Sequence, residues 1–274
     1  MTTPDDLAAL LCLVRDAHGR VVALTGAGVS TESGIPDYRS PEARPRRPVQ
    51  GPEFARLPSA RRRYWARAMV GWEHFRRATP SGSHIALAGL ERRGCVKALI
   101  TQNVDRLHHT AGSVNVVELH GALAEAFCLA CGALEERAHL QVRMKALNPA
   151  WLLHASHVAP DGDAEVSAEQ IEDFVVPECL QCGGVMKPKV VFFGDNVPRD
   201  VVDRAYAEVD AAGLLLVAGT SLAVFSGYRF LRRAAERKIP IAIINRGPVR
   251  GEEHATLKLE ASTGTTLQAL LASA

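Results

Sequence analysis

The chain has 274 residues, 47% of them hydrophobic, and a formal net charge of +2 at pH 7. That size and apolar content can bury a sizeable core, enough for one larger domain with a smaller module attached. The near-balanced charge argues against wrapping of nucleic acid, the acidic N-terminus Met1-Thr2-Thr3-Pro4-Asp5-Asp6 is no export signal, and no apolar run reaches the ~18 residues of a membrane span. The expectation is a cytoplasmic protein with no specific nucleic-acid partner and no membrane partner. Its Ala- and Arg-rich usage hints at a GC-rich bacterial source.

Residues 5–17 carry Leu7, Leu10, Leu11 and Val14 at helical spacing, with Asp5 as the candidate N-cap. Val21–Thr25 is a short apolar run, as a strand buried on both faces requires. Residues 36–60, rich in Pro and Arg, read as an irregular exposed loop. Helices are expected over 61–78 and 80–93, then strands over Val96–Ile100 and Val116–Leu119. A cysteine module occupies roughly 121–187, with Asn148-Pro149 and Pro160-Asp161-Gly162-Asp163 marking an inserted excursion. Strands return at Val190–Phe193, Leu214–Val217, Ile239–Ile244 and Leu257–Leu259, with helices over 199–208 and 224–237. This alternation predicts an α/β fold with a doubly wound, parallel, Rossmann-like sheet, a small inserted four-cysteine zinc module and a helical excursion. The expected division is 1–120 with 188–274 for the dinucleotide-binding domain, its excursion at about 36–93, and 121–187 for the zinc module.

Cys128/Cys131 and Cys179/Cys182 are two Cys-x-x-Cys pairs separated by a long segment. Each pair can reach one metal ion from a single turn, and Gly132, Gly183 and Gly184 stand where the chain must bend around it. Two disulfides are the alternative. The lack of an export signal argues against them, as do Cys12 and Cys95, whose apolar contexts are those of core thiols. Four thiolates leave no open position, so the zinc is expected to be structural.

Gly26-Ala27-Gly28 follows the first buried strand. Alone it is a weak dinucleotide signal, because Thr31 stands where the full fingerprint has its third glycine. Gly219-Thr220-Ser221 after another strand offers backbone N–H groups and a hydroxyl to a phosphate. Asn245-Arg246-Gly247 ends the next strand, where a polar side chain can meet a ribose. Three polar turns at the carboxyl ends of parallel strands point to one crevice. The Arg46, Arg47 and Arg61-Arg62-Arg63 clusters read as a solvated face, and Trp65 and Trp72 as core.

The run from Gly26 through Gly34-Ile35-Pro36-Asp37-Tyr38-Arg39-Ser40 resembles the opening motif of the sirtuins. Thr101-Gln102-Asn103-Val104-Asp105-Arg106-Leu107-His108 resembles their second motif and Leu119-His120-Gly121 their third. The cysteine pairs, Lys187-Pro188-Lys189-Val190-Val191-Phe192-Phe193-Gly194-Asp195, the Gly-Thr-Ser turn and Asn245 follow in family order, from about residue 20 to 265. Arg47-Pro48, Arg63-Tyr64-Trp65-Ala66-Arg67, Gly71-Trp72, Leu147-Asn148-Pro149, Ala159-Pro160-Asp161-Gly162-Asp163 and Ser226-Gly227-Tyr228-Arg229-Phe230 are similar to the class II branch, which includes the mitochondrial lipoamidase-type sirtuin.

The resemblance implies an NAD-dependent lysine deacylase acting on acyl-lysine proteins. The substrate amide oxygen attacks the ribose carbon bearing nicotinamide, an imidate forms, and a histidine base on a ribose hydroxyl collapses it. It assigns that base to His120, whose imidazole type titrates near pH ~6.5. His108 is read as packing. Asn103 and Asp105 are expected to hold the nicotinamide carboxamide and ribose. Gly26, Ala27, Gly28, Thr31, Glu32, Gln102, Gly219, Thr220, Ser221, Asn245, Arg246, Gly247 and Thr263 are expected around the rest of NAD, and Asp37, Tyr38 and Arg39 on a loop over nicotinamide. Tyr38 stands where many relatives carry Phe.

Val190–Asn196, including Gly194, and Val224-Phe225-Ser226 are expected to take the substrate backbone as an added strand. Val191 and Phe193 are expected to line the acyl tunnel. Tyr64 and Arg67, three apart on a helix, resemble a pair in sirtuins that remove acidic acyl groups. Mono-ADP-ribosyl transfer to protein from the same NAD site is the alternative activity.

Overall fold

Val21–Thr25 is buried at every position, which suits the centre of a sheet covered on both faces. The structure, a computed structural model describing residues 3–37, 48–149, 151 and 171–274, pairs this strand in parallel with Val96–Thr101 and with Leu214–Ala218. Val116–Glu118 extends the first side, and Ile241–Ile244 and then Leu257–Leu259 extend the second. All six strands are parallel. Chain order runs outward in both directions from Val21–Thr25 and Leu214–Ala218, so the topological switch lies between those two strands.

Helices Pro4–Asp16, Gly82–Arg92 and Thr263–Ser273 cover one face through Leu10, Val14, Leu87, Leu90, Leu267 and Leu270. Helices Arg199–Asp210 and Phe225–Glu236 cover the other through Ala205, Val209, Phe230 and Leu231. The doubly wound parallel sheet is therefore as expected. These elements belong to one compact unit, Met1–Ile35, Thr79–Leu119 and Val197–Ala274, while Pro36–Ala78 and His120–Asn196 form a second.

In the second unit Gly121–Cys128 is the middle strand of a three-stranded antiparallel sheet, between Leu134–Glu136 and Met186–Val190. Helices Gly51–Arg56, Pro58–Phe75 and Arg137–Leu147 pack a core of Phe54, Trp65, Met69, Leu140 and Met144. Trp65 Nε1 donates to the Met186 carbonyl at 3.0 Å. Arg137 is buried, and its guanidinium donates to the Ala68 carbonyl at 2.9 Å and to Gln141 Oε1 at 2.7 Å, 4.9 Å from the Trp72 ring. Burial pulls its pKa down to about 10, against the opposing pull of Tyr64 and Glu73.

Several local expectations are corrected. The first helix is capped by Thr3, whose hydroxyl accepts from the Asp6 N–H while Asp6 answers the Thr3 N–H. This capping box displaces Asp5 from the role. Cys12 is exposed, because the buried stripe of its helix runs through Leu10 and Val14. The segment read as an irregular loop holds the helix Gly51–Arg56 with Pro in its first turn, and the next helix starts at Pro58; both prolines sit where a missing N–H costs nothing. The strand placed at Val190–Phe193 is Met186–Val190, antiparallel to Gly121–Cys128 and outside the parallel sheet. Arg61, Arg62 and Arg63 are not a freely solvated face: they donate to the Phe54 and Ala55 carbonyls, the Glu172 carbonyl and Glu53. Tyr38, Arg39, Arg46, Arg47 and the run Ala159-Pro160-Asp161-Gly162-Asp163 lie outside the described residues.

Candidate active site

At the switch point two glycine turns interlock. The Gly28 N–H donates to the Gly219 carbonyl at 2.8 Å, and the Gly219 N–H donates to the Ile244 carbonyl at 3.0 Å. A Cβ on Gly28 would fall 2.8–3.0 Å from three Gly219 backbone atoms, and one on Gly26 would fall 2.7 Å from Thr220 Cβ. Gly219 has φ +61°, a left-handed conformation that side chains disfavour. Only glycines let these turns approach so closely. The Gly26, Gly28 and Gly219 N–H groups are spent inside the fold, on the Ala218, Gly219 and Ile244 carbonyls, and the interlocked turns stand at the carboxyl ends of the two central strands, where a doubly wound sheet takes its ligand.

Gln102 leaves the neighbouring strand and ties the turns together. Its Nε2 donates to Thr220 Oγ1 at 3.0 Å and to the Thr25 carbonyl at 3.2 Å. Asn103 Nδ2 donates to the Gly26 carbonyl and to Ser30 Oγ, each at 3.0 Å. Ser30 Oγ donates in turn to Asp105 Oδ2 at 2.7 Å, and Asp105 Oδ1 accepts the Leu107 N–H at 2.9 Å. Asn103 and Asp105 are thus locked into one polar chain on the rim of the crevice. Beneath it, His84 Nδ1 accepts the Ser81 N–H at 3.1 Å, and its Nε2 lies 3.4 Å from Ser30 Oγ. Burial pulls His84 down to about 4, against the carboxylate of Asp105. His108 is fully buried with Nε2 2.9 Å from Thr25 Oγ1, and burial holds it well below the usual range. That is packing, as read from the sequence.

The far end of the crevice is closed by the last helix. Thr263 Oγ1 accepts from Ser83 Oγ at 2.9 Å and approaches the Gly28 carbonyl at 3.5 Å. Glu32 accepts from Ser262 Oγ at 3.3 Å, and a Cβ on Gly264 would strike its carboxylate. Thr31 Oγ1 donates to the Gly28 carbonyl at 3.2 Å. Asn245 Nδ2 donates to the Arg246 and Gly247 carbonyls at 2.9 and 3.2 Å, which folds that turn on itself. The Ser221 carbonyl accepts the Arg250 N–H at 2.9 Å. Ser30, Ser81, His84 and Gly264 were not singled out from the sequence. A Ser or His on an apolar helix carries no signal until its partner on another element is known.

Of the second unit's candidates, Asp37 and His120 are half-buried. The His120 carbonyl accepts the Val191 N–H at 2.9 Å. Gly121 has φ +75°, and a Cβ there would fall 2.1 Å from the Lys189 carbonyl oxygen, so the strand can begin there only with glycine. Val191 is half-buried; Phe193 and Gly194 are exposed, and Gln50 bridges to Phe193. Tyr64 is buried, with its ring 5.0 Å from Phe192 and 5.6 Å from Phe54. Arg67 lies half-buried on the same helix. Val224, in the first unit, is the N-cap of the helix Phe225–Glu236.

The four cysteine thiols of the second unit meet as a cluster, with all Sγ atoms within 4.8 Å of one another. Cys128 Sγ lies 3.5 Å from Cys182 Sγ, and Cys131 Sγ lies 3.7 Å from Cys179 Sγ. Four sulfurs at Zn–S bonds of ~2.3 Å in a tetrahedron stand about 3.8 Å apart. The Ala130 and Gln181 N–H groups donate to Cys128 Sγ and Cys179 Sγ at 3.4 Å each. Gly132 and Gly183 turn at φ +74° and +70°, and a Cβ on Gly184 would press on Cys128 Sγ at 2.8 Å. The Cys131 N–H leads the groups that pull the Cys128 thiol down to about 6. At Cys182 the Gly184 N–H favours thiolate, but the neighbouring thiols outweigh it and push the group up to about 12. Four thiols this close resist full ionisation until a dication shares their charge. The residues fit zinc.

A doubly wound sheet with a glycine-lined crevice at its switch point, joined in one chain to a four-thiolate metal knuckle, defines a nucleotide-binding, zinc-carrying class of enzyme. The Sir2 family profile matches residues 26–226, and the chain belongs to that family, the sirtuins. It is 50% identical over 261 residues to NAD-dependent protein deacetylase 1 of Mycobacterium avium (strain 104), covering 93% of this chain and 92% of that protein. It is 49% identical over 253 residues to the human mitochondrial NAD-dependent protein lipoamidase sirtuin-4, covering 90% of this chain and 81% of that protein. A solved Sir2–p53 peptide–NAD+ complex superposes with a TM-score of 0.78 at 29% identity, covering 97% of this chain and 98% of that one. Among the described residues no helix is long and apolar enough to cross a membrane.

Proposed function

We infer that the chain is an NAD-dependent protein-lysine deacylase, releasing nicotinamide, free lysine and an O-acyl-ADP-ribose. The observation that carries the reading is the interlock of Gly26 and Gly28 with Gly219 and Thr220, rimmed by Gln102, Asn103 and Asp105, in a chain of the Sir2 family. NAD supplies an electrophilic ribose carbon and a leaving group when bound. The unit with the parallel sheet holds it: Gly26, Ala27, Gly28, Gly219, Thr220 and Ser221 meet the diphosphate. Thr31, Glu32, Asn245, Arg246, Gly247 and Thr263 meet the adenosine end. Asn103 and Asp105, fixed through Ser30, orient the carboxamide and ribose at the reacting end, which is the positioning such a step needs. The opening motif of the family gives Asp37, Tyr38 and Arg39 to nicotinamide recognition.

His120 takes the proton of a ribose hydroxyl at its imidazole nitrogen. Val191, Phe193, Gly194 and Val224 take the acyl-lysine segment of a protein substrate, largely through main-chain hydrogen bonds. Tyr64 and Arg67 face the far end of the acyl group and admit dicarboxylic acyl chains as well as acetyl. Zinc on Cys128, Cys131, Cys179 and Cys182 holds its module together and has no open position for chemistry.

The test is an NAD-dependent assay over a panel of acyl-lysine peptides read by mass spectrometry, with His120→Ala alongside. O-acyl-ADP-ribose should form with the wild type, and turnover should fall ~10²–10⁴-fold in the variant while NAD binding persists. ADP-ribose found on protein, with no O-acyl-ADP-ribose, would instead establish transfer as the activity.

A further inference from the structure

The helix Phe225–Glu236 buries Gly227, Phe230, Leu231 and Ala234 against the sheet. Its outer face carries Phe225, Tyr228, Arg229 and Arg232. Phe225 is 46% exposed, an unusual position for a large aromatic ring. The guanidiniums of Arg229 and Arg232 lie 5.0 and 5.6 Å from its centroid. Arg250 lies 4.2 Å over the ring of Tyr228, and the two rings are 6.4 Å apart. Five side chains therefore make one aromatic and cationic surface.

Its charge is unbalanced. Arg232 pairs with Glu236 at 3.3 Å, but among the described residues neither Arg229 nor Arg250 has a carboxylate in ion-pair contact. Three guanidiniums against one carboxylate leave a local charge of +2. The same helix shows the opposite arrangement on its flank, where Arg233 and Arg237 share Asp210 at 2.7 and 2.9 Å. Stacking on a ring holds a guanidinium in place for a carboxylate; of the three, Arg250 also spends Nη1 on the Ala223 carbonyl at 3.4 Å. Arg229 Nε is moreover a buried atom without a partner among the described residues.

We propose that Phe225, Tyr228, Arg229, Arg232 and Arg250 form a recognition surface for acidic residues flanking the acyl-lysine of the protein substrate. The proposal rests on the deacylase reading, which gives Val224 to the substrate backbone; Phe225 follows it directly in the chain. Positions 225 to 232 span about 10 Å of helix. Side chains on one face of an extended peptide recur every ~7 Å, so residues two to four positions from the acyl-lysine reach this surface. A chain with a net charge of only +2, and a stripe only about 10 Å long next to a substrate segment, favour an acidic peptide over nucleic acid.

The experiment compares two acetyl-lysine peptides that differ only in flanking Glu or Gln, by steady-state kinetics and by fluorescence anisotropy. At low salt the Glu peptide should show a KM and Kd about three- to tenfold lower, a gap that rim charges can supply. The gap should close near 0.5 M salt, where the Debye length is about 4 Å. The double variant Arg229→Gln/Arg232→Gln should abolish it while turnover of the Gln peptide and the KM for NAD hold. Equal Kd values in the wild type at low salt, or a gap that survives in the double variant, would overturn the proposal. So would a single-stranded oligonucleotide that binds the wild type but not the double variant when neither peptide is preferred. Absence of turnover on both peptides would count against the deacylase reading instead, and the anisotropy gap would still decide this surface.

Discussion

Lys187 Nζ lies 2.7 Å from Asp195 Oδ2, and the pair spans the base of the turn that carries Val191, Phe193 and Gly194. Lys187 is 9% exposed, reaches the Val190 carbonyl at 3.3 Å and sits 4.8 Å over the Phe192 ring. Asp195 Oδ2 also accepts the Phe192 N–H at 3.2 Å. One ion pair thus fixes both ends of the turn read as the substrate strand. Breaking a fully buried pair strands a charge and costs about 3–5 kcal/mol; the 25% exposure of the Asp195 side chain brings the cost here towards or below the lower end. Lys187→Met should raise the KM for acyl-peptide several-fold and leave the KM for NAD unchanged, while Lys187→Arg should recover most of the loss. Steady-state kinetics on both substrates check this, and an equal rise in both KM values would contradict it.

Gly28 offers a second test, at the crevice itself. Its Cβ position is occupied by the Gly219 backbone, which cannot swing aside as a side chain would. Gly28→Ala should force the turns apart, cost about 1–3 kcal/mol as overpacking does, and weaken NAD binding at least tenfold. Calorimetric titration with NAD and thermal melts read the two effects separately.

Most of the sheet could be read from the sequence because its strands are buried on both faces: Val21–Thr25 and Leu214–Ala218 announce themselves as unbroken apolar runs. The glycine turns and cysteine pairs were equally legible, since each needs a particular residue at a particular spacing. Met186–Val190 was not. Its Lys-Pro-Lys pattern has no apolar run, and its antiparallel pairing with Gly121–Cys128 joins residues about sixty positions apart. The helix Gly51–Arg56 was hidden for a different reason: Pro52 and Pro58 read as loop formers, yet each sits in a first turn that proline tolerates. The polar chain Asn103–Ser30–Asp105, with His84 below it, joins residues far apart in sequence. No periodicity predicts it.

Metal removal has a clean optical readout. The three tryptophans of the chain, Trp65, Trp72 and Trp151, all belong to the second unit. Trp65 Nε1 bonds to the carbonyl of Met186, on the strand that follows the second knuckle. Structural zinc in knuckle peptides contributes ~10–16 kcal/mol. One zinc per chain is expected by metal analysis, and chelation should red-shift tryptophan emission before the helical signal of the parallel-sheet unit collapses. Active protein with no zinc would exclude the site.

Stability should depend on pH through His84. Its folded pKa is depressed to about 4 by burial, with Ser30, Ser81, Asp105 and His108 around it. The unfolded imidazole protonates near pH ~6.5, so the unfolded state binds the proton first. The His84 contribution therefore falls as pH drops from about 6.5 towards 4 and levels off below that. Buried His108 adds to the same slope, whereas the depressed carboxylate of Glu73, at about 2, costs stability only below the ordinary carboxylate range. Between pH 7 and 5 His84 alone should remove about 2 kcal/mol. Urea melts should show a shallower loss for His84→Gln than for the wild type, and parallel slopes would refute the assignment.

Acyl choice is the last test. Tyr64 and Arg67 share a helix face by their spacing of three. The Tyr64 ring packs on Phe192 at 5.0 Å, in the turn that Lys187 and Asp195 hold. Arg67 lies half-buried one turn further along that helix. A guanidinium at the end of an acyl tunnel grips a carboxylate through two parallel hydrogen bonds, a geometry that Lys cannot copy. A charge-assisted hydrogen bond contributes ~1.5–3 kcal/mol. Arg67→Ala should therefore lower kcat/KM on glutaryl-lysine peptide by about tenfold or more and spare acetyl-lysine, with Arg67→Lys recovering only part of the loss. Competition between the two acylated peptides in one reaction, resolved by mass, measures the ratio directly. A common fall on both substrates would make Arg67 a structural residue and place acyl selection elsewhere in the turn from Val191 to Gly194.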